Sequence, residues 1–315
     1  MHPSFDAQRA VEEKQLAGRV ALVTGATHGV GFELARRLAR RGATVLAGCR
    51  SLERYRRLQD VLADEDGVVT AACLEPAFAD LASQAAVEAL AADLLGRRVQ
   101  LDLLFLNAGI HDAPHGLTSE GLERTLATNY LGHFRLLHRL ASGGALAPDA
   151  RIVVTQSEAV TGNPLAHADL AALAEPRVTA WRRLVWRAVA SPNSKVLLAL
   201  AAFEYGRRVA GTSFATTRFV AGSPGPLRTG NVDQPGLAMV LLRRLAPLLL
   251  RPAGEGADLL LWVATAPEAA TASGTVFGRD RRPLRLRRAA SDPDLARRAW
   301  DATERALGLP PFAPA

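Results

Sequence analysis

The stretch Thr24-Gly25-Ala26-Thr27-His28-Gly29-Val30-Gly31 stands between an apolar run, RVALVTG, and an amphipathic run, GFELARRLARRG. A strand, a glycine-rich turn and a helix in this order are typical of the phosphate-binding turn of a dinucleotide-binding βαβ unit. The glycines permit the tight turn, the approach of a pyrophosphate and the close packing of helix on strand, and the helix N-terminus attracts phosphate. The residues expected to bind phosphate here are Gly25, Thr27, His28, Gly29, Val30 and Gly31.

The alternation of strand-like and helical patterns continues outward from this turn. The further strand-like runs are ATVLAGCR (43–50), VVTAACLE (68–75), LDLLFLNAG (101–109), ARIVVTQS (150–157), SFATTRFVAG (213–222) and GTVFG (274–278). Most are apolar throughout, which is typical of parallel strands covered on both faces. The sequence therefore predicts an α/β fold, a Rossmann-type doubly wound seven-stranded parallel sheet in a single domain.

Composition and charge narrow the class of protein. The 315 residues are 49% hydrophobic and 22% charged, which excludes collagen-like, mucin-like and wholly disordered chains. The net charge of +7 comes from 36 Arg and two Lys, Lys14 and Lys195, against 31 acidic residues. Cys49 and Cys73 are too few for a disulfide framework or a zinc site, so a reducing cytoplasm is expected.

The surplus of arginine does not predict a nucleic-acid partner. Most arginines occur in pairs on helical stretches, where they form a solvated face. The densest run, Arg279–Arg288, has no interleaved aromatic residues and belongs to no recognisable nucleic-acid module. An acidic small molecule or protein is favoured over nucleic acid as a partner of this charge.

One domain with a short extension accounts for the chain. Residues 1–17 are expected to be an N-terminal extension and residues 18–315 the dinucleotide-binding domain. The rhythm of strands and helices breaks near 158–190 and near 231–252, which are expected to cover the substrate. No stretch of about 18 uncharged apolar residues occurs, so we expect neither a membrane span nor a signal peptide.

Several further motifs follow in a fixed order along the chain. They are Asp80-Leu81, Asn107-Ala108-Gly109, Asn129 in TNYLGHF, Ser157, Lys195 at the start of a helix beginning near Ser194, and Pro224-Gly225 with Thr229. Together with TGxxxGxG, this order resembles the short-chain dehydrogenase/reductase family, over about residues 17–308. The C-terminal part is similar to its retinol-dehydrogenase and protochlorophyllide-reductase-like branch. The resemblance implies that Asp80, Leu81, Asn107, Ala108, Gly109, Lys195, Pro224, Gly225 and Thr229 bind a nicotinamide cofactor.

The end of the second strand indicates which cofactor is preferred. NAD-binding sites place a carboxylate there for the ribose 2′-hydroxyl, whereas an arginine accommodates a 2′-phosphate. This strand ends Gly48-Cys49-Arg50-Ser51 and carries no acid. Arg50 is therefore the candidate ligand of a 2′-phosphate and favours NADP(H), and His28 could assist it. The alternative is that Arg50 is one more surface arginine.

The resemblance also implies a catalytic set of Asn, Ser, Tyr and Lys, the last two spaced YxxxK. Asn129, Ser157 and Lys195 match, and they would respectively order a water, bind the substrate carbonyl and hold the nicotinamide ribose. Ser191 stands where the tyrosine is expected, and the only tyrosines are Tyr55, Tyr130 and Tyr205. A serine hydroxyl is too weak an acid to replace the phenol, so Ser191 followed by Pro192 is expected to cap the helix. A Ser191–Lys195 nucleophile is the less favoured alternative.

Other side chains could supply the missing proton. The candidates near the site in sequence are His111, His115, Glu158, His167 and Asp169. For each of them a solvated loop position is the simpler interpretation. Glu158 and His111 are favoured because the motifs beside them end at the carboxyl edge of the sheet, where ligands bind in this fold.

These observations lead to one main hypothesis and two alternatives. The main hypothesis is an NADP(H)-dependent oxidoreductase that acts on a hydrophobic carbonyl or alcohol, in secondary metabolism, with an atypical proton donor. The alternatives are a non-redox cyclase, isomerase or dehydratase, and a catalytically silent NADP-binding protein. The apolar stretch from Leu237 to Leu250 suggests a hydrophobic substrate, but peripheral membrane contact or a homo-oligomer interface would explain it equally.

Overall fold

The computed structural model describes residues 15–66, 73–110, 116–157, 159–162, 180–225, 227–228, 251–271 and 273–315. In this part of the chain seven parallel strands form one sheet in the order β3-β2-β1-β4-β5-β6-β9. Their bounds are β1 Val20–Thr24, β2 Thr44–Cys49, β3 Leu74–Phe78, β4 Leu101–Leu106, β5 Leu146–Thr155, β6 Arg218–Ser223 and β9 Val276–Gly278. Two further short strands, β7 Leu227–Arg228 and β8 Arg251–Pro252, pair with each other. The predicted doubly wound parallel sheet is confirmed.

Helices cover both faces of the sheet. They are α1 Gly29–Arg40, α2 Leu52–Asp66, α3 Gln84–Gly96, α4 Gly132–Ser142, α5 Ala180–Val209, α6 Ala253–Thr265 and α7 Pro293–Leu307. One apolar cluster lies under α1, α2 and α6, and a second lies under α3, α4, α5 and α7. Because each central strand is buried on both faces, its side chains are apolar without alternation, as the sequence shows.

A π-helical segment contains Asn129 of the TNYLGHF motif. A short α-helical turn, Arg124–Leu126, passes into the π-helix Ala127–Leu131 and then into α4. A Cβ on Gly132, the first residue of α4, would lie 2.4 Å from Leu81 O, so only glycine allows α4 to approach this loop so closely. The π-helical turn offsets the helix at Asn129, and such turns are frequent at functional sites.

Three predicted boundaries are wrong. Among the described residues the third strand is Leu74–Phe78, which runs three residues past the predicted end at 75 and includes Pro76; an edge strand tolerates this proline because one side of its ladder is unpaired. Residues 67–72 lie outside the described residues. The sixth strand begins at Arg218 rather than at Ser213. The largest error concerns α5, which does not begin near Ser194 but at Ala180, and so continues through Pro192.

Within the described ranges neither a membrane-spanning helix nor a candidate metal site occurs. None of the helices there combines the length and the apolar character needed to cross a lipid bilayer. Nor do His, Cys, Asp and Glu side chains of those ranges cluster in a way that could hold a metal ion.

Candidate functional site

The glycine-rich turn joins β1 to α1 at the carboxyl edge of the sheet. Gly25 and Gly29 adopt φ values of 68° and 54°, which favour glycine. A Cβ on Gly31 would lie 2.2 Å from Gly25 O and 2.6 Å from Asn107 Nδ2, so α1 packs against β4 only because this residue is glycine. His28, the N-cap, makes no side-chain capping bond. The first N–H groups of α1 are therefore not capped by His28 and can bind an anion.

Hydrogen bonds tie the carboxyl ends of three strands together. Thr24 Oγ1 accepts from the main-chain N–H groups of Asn107 (2.8 Å) and Ala108 (3.0 Å). The Asn107 side chain donates to Thr24 O (3.0 Å) and accepts from Thr155 Oγ1 (2.9 Å). Asn107 thus links β1, β4 and β5, and its side chain is used for structure rather than left open to a ligand.

Asn129 is fully buried, and its side-chain amide is hydrogen-bonded on both sides. Its Oδ1 accepts from Ile110 N (2.8 Å), and its Nδ2 donates to Ile110 O (3.0 Å) and to Ser194 Oγ (3.3 Å). A Cβ on Gly109 would lie 3.4 Å from Asn129 Oδ1. The side chain therefore fixes the loop after β4 against α5 rather than ordering a water.

His133 is a residue of this site that the sequence did not reveal. Its Nδ1 lies 3.1 Å from Asn129 O and its Nε2 lies 3.0 Å from Thr24 Oγ1. Because a carbonyl can only accept, Nδ1 carries the proton. The Thr24 hydroxyl beside Nε2 also lies 3.1 Å from Phe105 O, to which it donates. Burial lowers the pKa of His133 to about 4, so the imidazole is neutral at pH 7. It connects the π-helical turn to the end of β1.

Lys195 lies in the middle of α5, with 4% of its surface exposed. Its Nζ donates to Thr155 O (2.6 Å), at the carboxyl end of β5. Gln156, a second residue that the sequence did not reveal, donates from Nε2 to Lys195 O (3.0 Å). Burial lowers the pKa of Lys195 to about 8. Thr155, the last residue of β5, therefore holds the ammonium of this lysine, and Gln156, the next residue, holds its main chain.

Ser191 is not the N-cap that the sequence predicts. It lies inside α5, one helical turn before Lys195, and only 7% of its surface is exposed. Ser194 Oγ donates to Ser191 O (2.7 Å). Pro192 provides no N–H group, and serine side chains that bond to the preceding turn are common where a helix is perturbed.

All three tyrosines lie away from the position one helical turn before Lys195, where the sequence analysis expects a phenol. Tyr55 donates its hydroxyl to a main-chain carbonyl of β3 (2.8 Å), and the hydroxyl of Tyr130 lies 2.9 Å from a threonine hydroxyl of α7. Tyr205 is fully buried, ten residues beyond Lys195. Burial raises the pKa of Tyr130 and Tyr205, which makes both poorer acids at neutral pH.

Ser157 lies where the sequence places it, two residues beyond the end of β5. It is half-buried, and its carbonyl accepts from Val160 N (3.2 Å) in the turn that follows. Lys195 Nζ is bound to Thr155 O, so Ser157 and the ammonium are both attached to the same strand end.

Positive charge surrounds the turn after β2. Arg50 is exposed, and the neighbouring α2 carries Arg54 and Arg57. The pKa of His28 is lowered first by its partial burial and then by the charges of Arg54, Arg50 and Arg57, so all three arginines act on the glycine-rich turn. Among described residues, Arg57 pairs with Glu53 at 3.4 Å.

The structure describes some, but not all, of the other residues predicted to bind the cofactor. Asp80 Oδ1 accepts from Ala82 N (3.0 Å), which forms the turn after β3, and Leu81 packs against Gly132. Pro224 and Gly225 follow β6, and Gly225 adopts a φ of 75°. Outside the described residues lie Thr229, His111, His115, Glu158, His167, Asp169, and the segments 163–179 and 229–250.

The arrangement is a continuous polar edge with the glycine-rich turn at one end and the buried Lys195 ammonium at the other. Hydrogen bonds run from Thr24 through Asn107 and Thr155 to Lys195. An extended ligand with phosphates at the turn and a hydroxylated group at the lysine would match both ends.

Comparisons with known proteins agree with this geometry. A sequence profile described as short chain dehydrogenase matches residues 19–168. Dehydrogenase/reductase SDR family member 13 of Bos taurus is 36% identical over 301 residues, which cover 94% of this chain and 75% of that protein. Retinol dehydrogenase 14 of Homo sapiens is 30% identical over 305 residues, which cover 93% of this chain and 87% of that protein.

The fold is also found among solved structures. An uncharacterized protein from Mycobacterium paratuberculosis superposes with a TM-score of 0.69 at 26% identity. The match covers 95% of this chain and 96% of the other. The similarity therefore extends over both the sheet and the helices that flank it.

Proposed function

The chain belongs to the short-chain dehydrogenase/reductase family and is an enzyme of that type, and from this premise we propose that it is an NADP(H)-dependent oxidoreductase acting on a hydrophobic carbonyl or alcohol. The observation that carries the proposal is the hydrogen-bonded edge from the glycine-rich turn to Lys195. This edge fixes the glycine-rich turn, which would bind the pyrophosphate of a dinucleotide, relative to Lys195, which would bind one of its two ribose groups.

The residues present fit a nicotinamide dinucleotide. The N-terminus of α1 would hold the pyrophosphate, because Gly31 brings this helix against β4 and His28 does not cap it. Lys195, with N–H bonds beyond the one to Thr155, would hold the nicotinamide ribose. When bound, the cofactor supplies the hydride; the chain supplies binding, orientation and the proton.

Arg50 and its neighbours support NADP(H) rather than NAD(H). Three arginines act on the turn that contains His28, and the end of β2 carries no carboxylate that would bind a ribose 2′-hydroxyl. A 2′-phosphate accepts charge-assisted hydrogen bonds from guanidinium groups, and these are about twice as strong as neutral ones.

A hydrophobic substrate is supported by the chain's relatives and its composition. Retinol dehydrogenase 14, at 30% identity, is named for an apolar alcohol. The segment Leu237–Leu250 is apolar apart from Arg243 and Arg244. Ser157 would bind the carbonyl or hydroxyl oxygen of the substrate beside Lys195.

The cofactor proposal is tested by fluorescence titration with NADPH and NADH. We expect NADPH to bind more tightly, and Arg50→Ala to weaken NADPH binding about tenfold or more while leaving NADH binding unchanged. Arg56→Ala, an exposed arginine of α2 that does not act on His28, is the matched control and should bind like the parent. Failure of both cofactors to bind at millimolar concentration would overturn the redox function, and equal weakening of both by Arg50→Ala would contradict the 2′-phosphate site.

A second candidate function is a non-redox cyclase, isomerase or dehydratase. The observation that favours it is the serine at position 191, because hydride chemistry in this family relies on a phenol there. The two functions are distinguished by following absorbance of the reduced cofactor during turnover. Substrate conversion with no change in cofactor would establish the second function.

A further inference from the structure

The choice of cation at position 195 is unusual for this chain. Arginine supplies 36 of the 38 basic residues, and it supplies the cation of every ion pair between fully charged groups found in the described residues. Lys195 is the one lysine that the structure describes. A guanidinium could also bind ribose hydroxyls, but in proteins it does not release a proton, whereas an ammonium does.

The environment of Lys195 favours proton release. Its Nζ lies against the main-chain carbonyl of Thr155, and no carboxylate of the described residues forms an ion pair with it. The titratable group that faces it from α4 is His133, which burial keeps neutral, and the preceding turn of α5 carries the uncharged residues Ser191, Asn193 and Ser194. Burial without a counter-ion lowers the pKa of Lys195 to about 8, near the range where a general acid works best.

The nitrogen is also held in position. Thr155 fixes the ammonium, and Gln156 fixes the main chain of Lys195 through its carbonyl. Both residues immediately precede Ser157, which would bind the substrate oxygen. One of the three ammonium N–H bonds is used by Thr155, which leaves two for the substrate and the ribose.

Building on the proposed function, we propose that Lys195 is itself the general acid and base of this enzyme, in place of the absent tyrosine. In the reducing direction, the carbonyl carbon of the substrate accepts a hydride from the reduced nicotinamide and its oxygen becomes negatively charged. An N–H bond of Lys195 breaks as the new O–H bond forms, which leaves an alcohol and a neutral amine. The amine then regains a proton from water. Oxidation of the alcohol runs through the same steps in reverse.

The scarcity of lysine makes a direct test simple. The full chain labelled with [ε-¹³C]lysine has two side-chain signals, and Lys14→Arg removes one of them, which assigns the other to Lys195. We expect the Lys195 signal to titrate about two pH units below the ordinary lysine value of about 10.4. Titration of Lys195 together with Lys14 above pH 10 would overturn the proposal. This readout needs neither substrate nor turnover.

Turnover provides the second test. Lys195→Arg keeps a positive charge but cannot release a proton, so at saturating NADPH we expect a kcat lower by about 10²-fold or more. The kcat for reduction in the parent should fall above the pH at which Lys195 titrates with cofactor bound. Lys14→Arg is the control and should match the parent.

The outcomes separate the two proposals. If NADPH binds and Lys195→Arg retains the parent's kcat, Lys195 is not the acid, although the oxidoreductase function stands. If neither cofactor binds, the oxidoreductase function fails and the role of Lys195 in it fails too. Should Lys195→Arg fail to fold, the ¹³C titration of the parent still decides whether this ammonium releases its proton near neutral pH.

Discussion

The fully buried imidazole of His133 shows how single residues fix the geometry of this edge. Its Nδ1–H group donates to Asn129 O, and its Nε2 lies 3.0 Å from Thr24 Oγ1 at the end of β1. A second proton would place a charge in the core, which burial disfavours. The imidazole therefore joins the π-helical turn to the end of β1 in its neutral form at pH 7.

Acidification should weaken the fold through this residue. The pKa of His133 is about 4 in the folded chain and about 6.5 when unfolded, so between these values the unfolded chain binds the extra proton and stability falls as pH falls. The full effect is about 3 kcal/mol. His133→Gln keeps one donor and one acceptor but cannot be protonated. In urea unfolding at pH 7 and pH 4.5, the variant should lose less stability on acidification than the parent, and an equal loss would contradict the assignment.

The site residues that sequence patterns revealed belong to contiguous motifs, whereas those they missed have partners remote in sequence. Gly31 and Asn107 belong to motifs that are contiguous in the chain, so their places could be predicted. His133 and Gln156 act through atoms of β1 and α5 that are remote in sequence. Nothing in the local sequence distinguishes His133 from an ordinary core residue on an apolar helix face. Its role depends on how α4 packs against the sheet.

At the scale of elements, prolines explain why the end of β3 and the start of α5 were predicted wrongly. Pro76 lies inside β3 and Pro192 inside α5, although proline is normally expected outside a strand or near the start of a helix. In β3 the unpaired side of an edge strand removes the penalty. In α5 the residues around Pro192 are buried and form side-chain bonds, so tertiary packing overrides the local preference.

The proline inside α5 should cost stability that an alanine would restore. Pro192→Ala returns an N–H group to the helix and removes the clash with the preceding turn, so we expect it to raise the free energy of unfolding by about 1–3 kcal/mol. Pro293, the first residue of α7, is the matched control, because proline is favourable there and Pro293→Ala should lower stability by up to about 1 kcal/mol. Urea unfolding of both variants would measure the difference. A loss of stability in Pro192→Ala would show that this proline is required for the packing of α5.

At the scale of the whole molecule, the C-terminal residues secure the helix that carries Lys195. Phe312 packs against Trp300 of α7, His138 of α4 and Tyr205 of α5, with ring centroids 5.4 to 5.9 Å apart. The buried carboxylate of Glu304 accepts from Trp300 Nε1 (2.6 Å) and from Phe312 N (2.9 Å). One aromatic side chain after the last helix thus connects three helices on one face of the sheet. No local sequence pattern indicates this contact, because it depends on the path of the chain after Gly308.

Removal of the Phe312 ring should therefore destabilise the entire fold. Phe312→Ala leaves a cavity among three aromatic rings, and such substitutions cost about 3–5 kcal/mol. Phe78→Ala is the matched control, because Phe78 is 43% exposed at the edge of the sheet and should lose only about 1 kcal/mol or less. Urea unfolding of the two variants at pH 7 measures both losses. Since Phe312 contacts α5 through Tyr205, its loss should also loosen the helix that positions Lys195 and weaken NADPH binding, whereas Phe78→Ala should leave binding unchanged. Equal effects of the two substitutions would mean that the C-terminal residues do not secure α5.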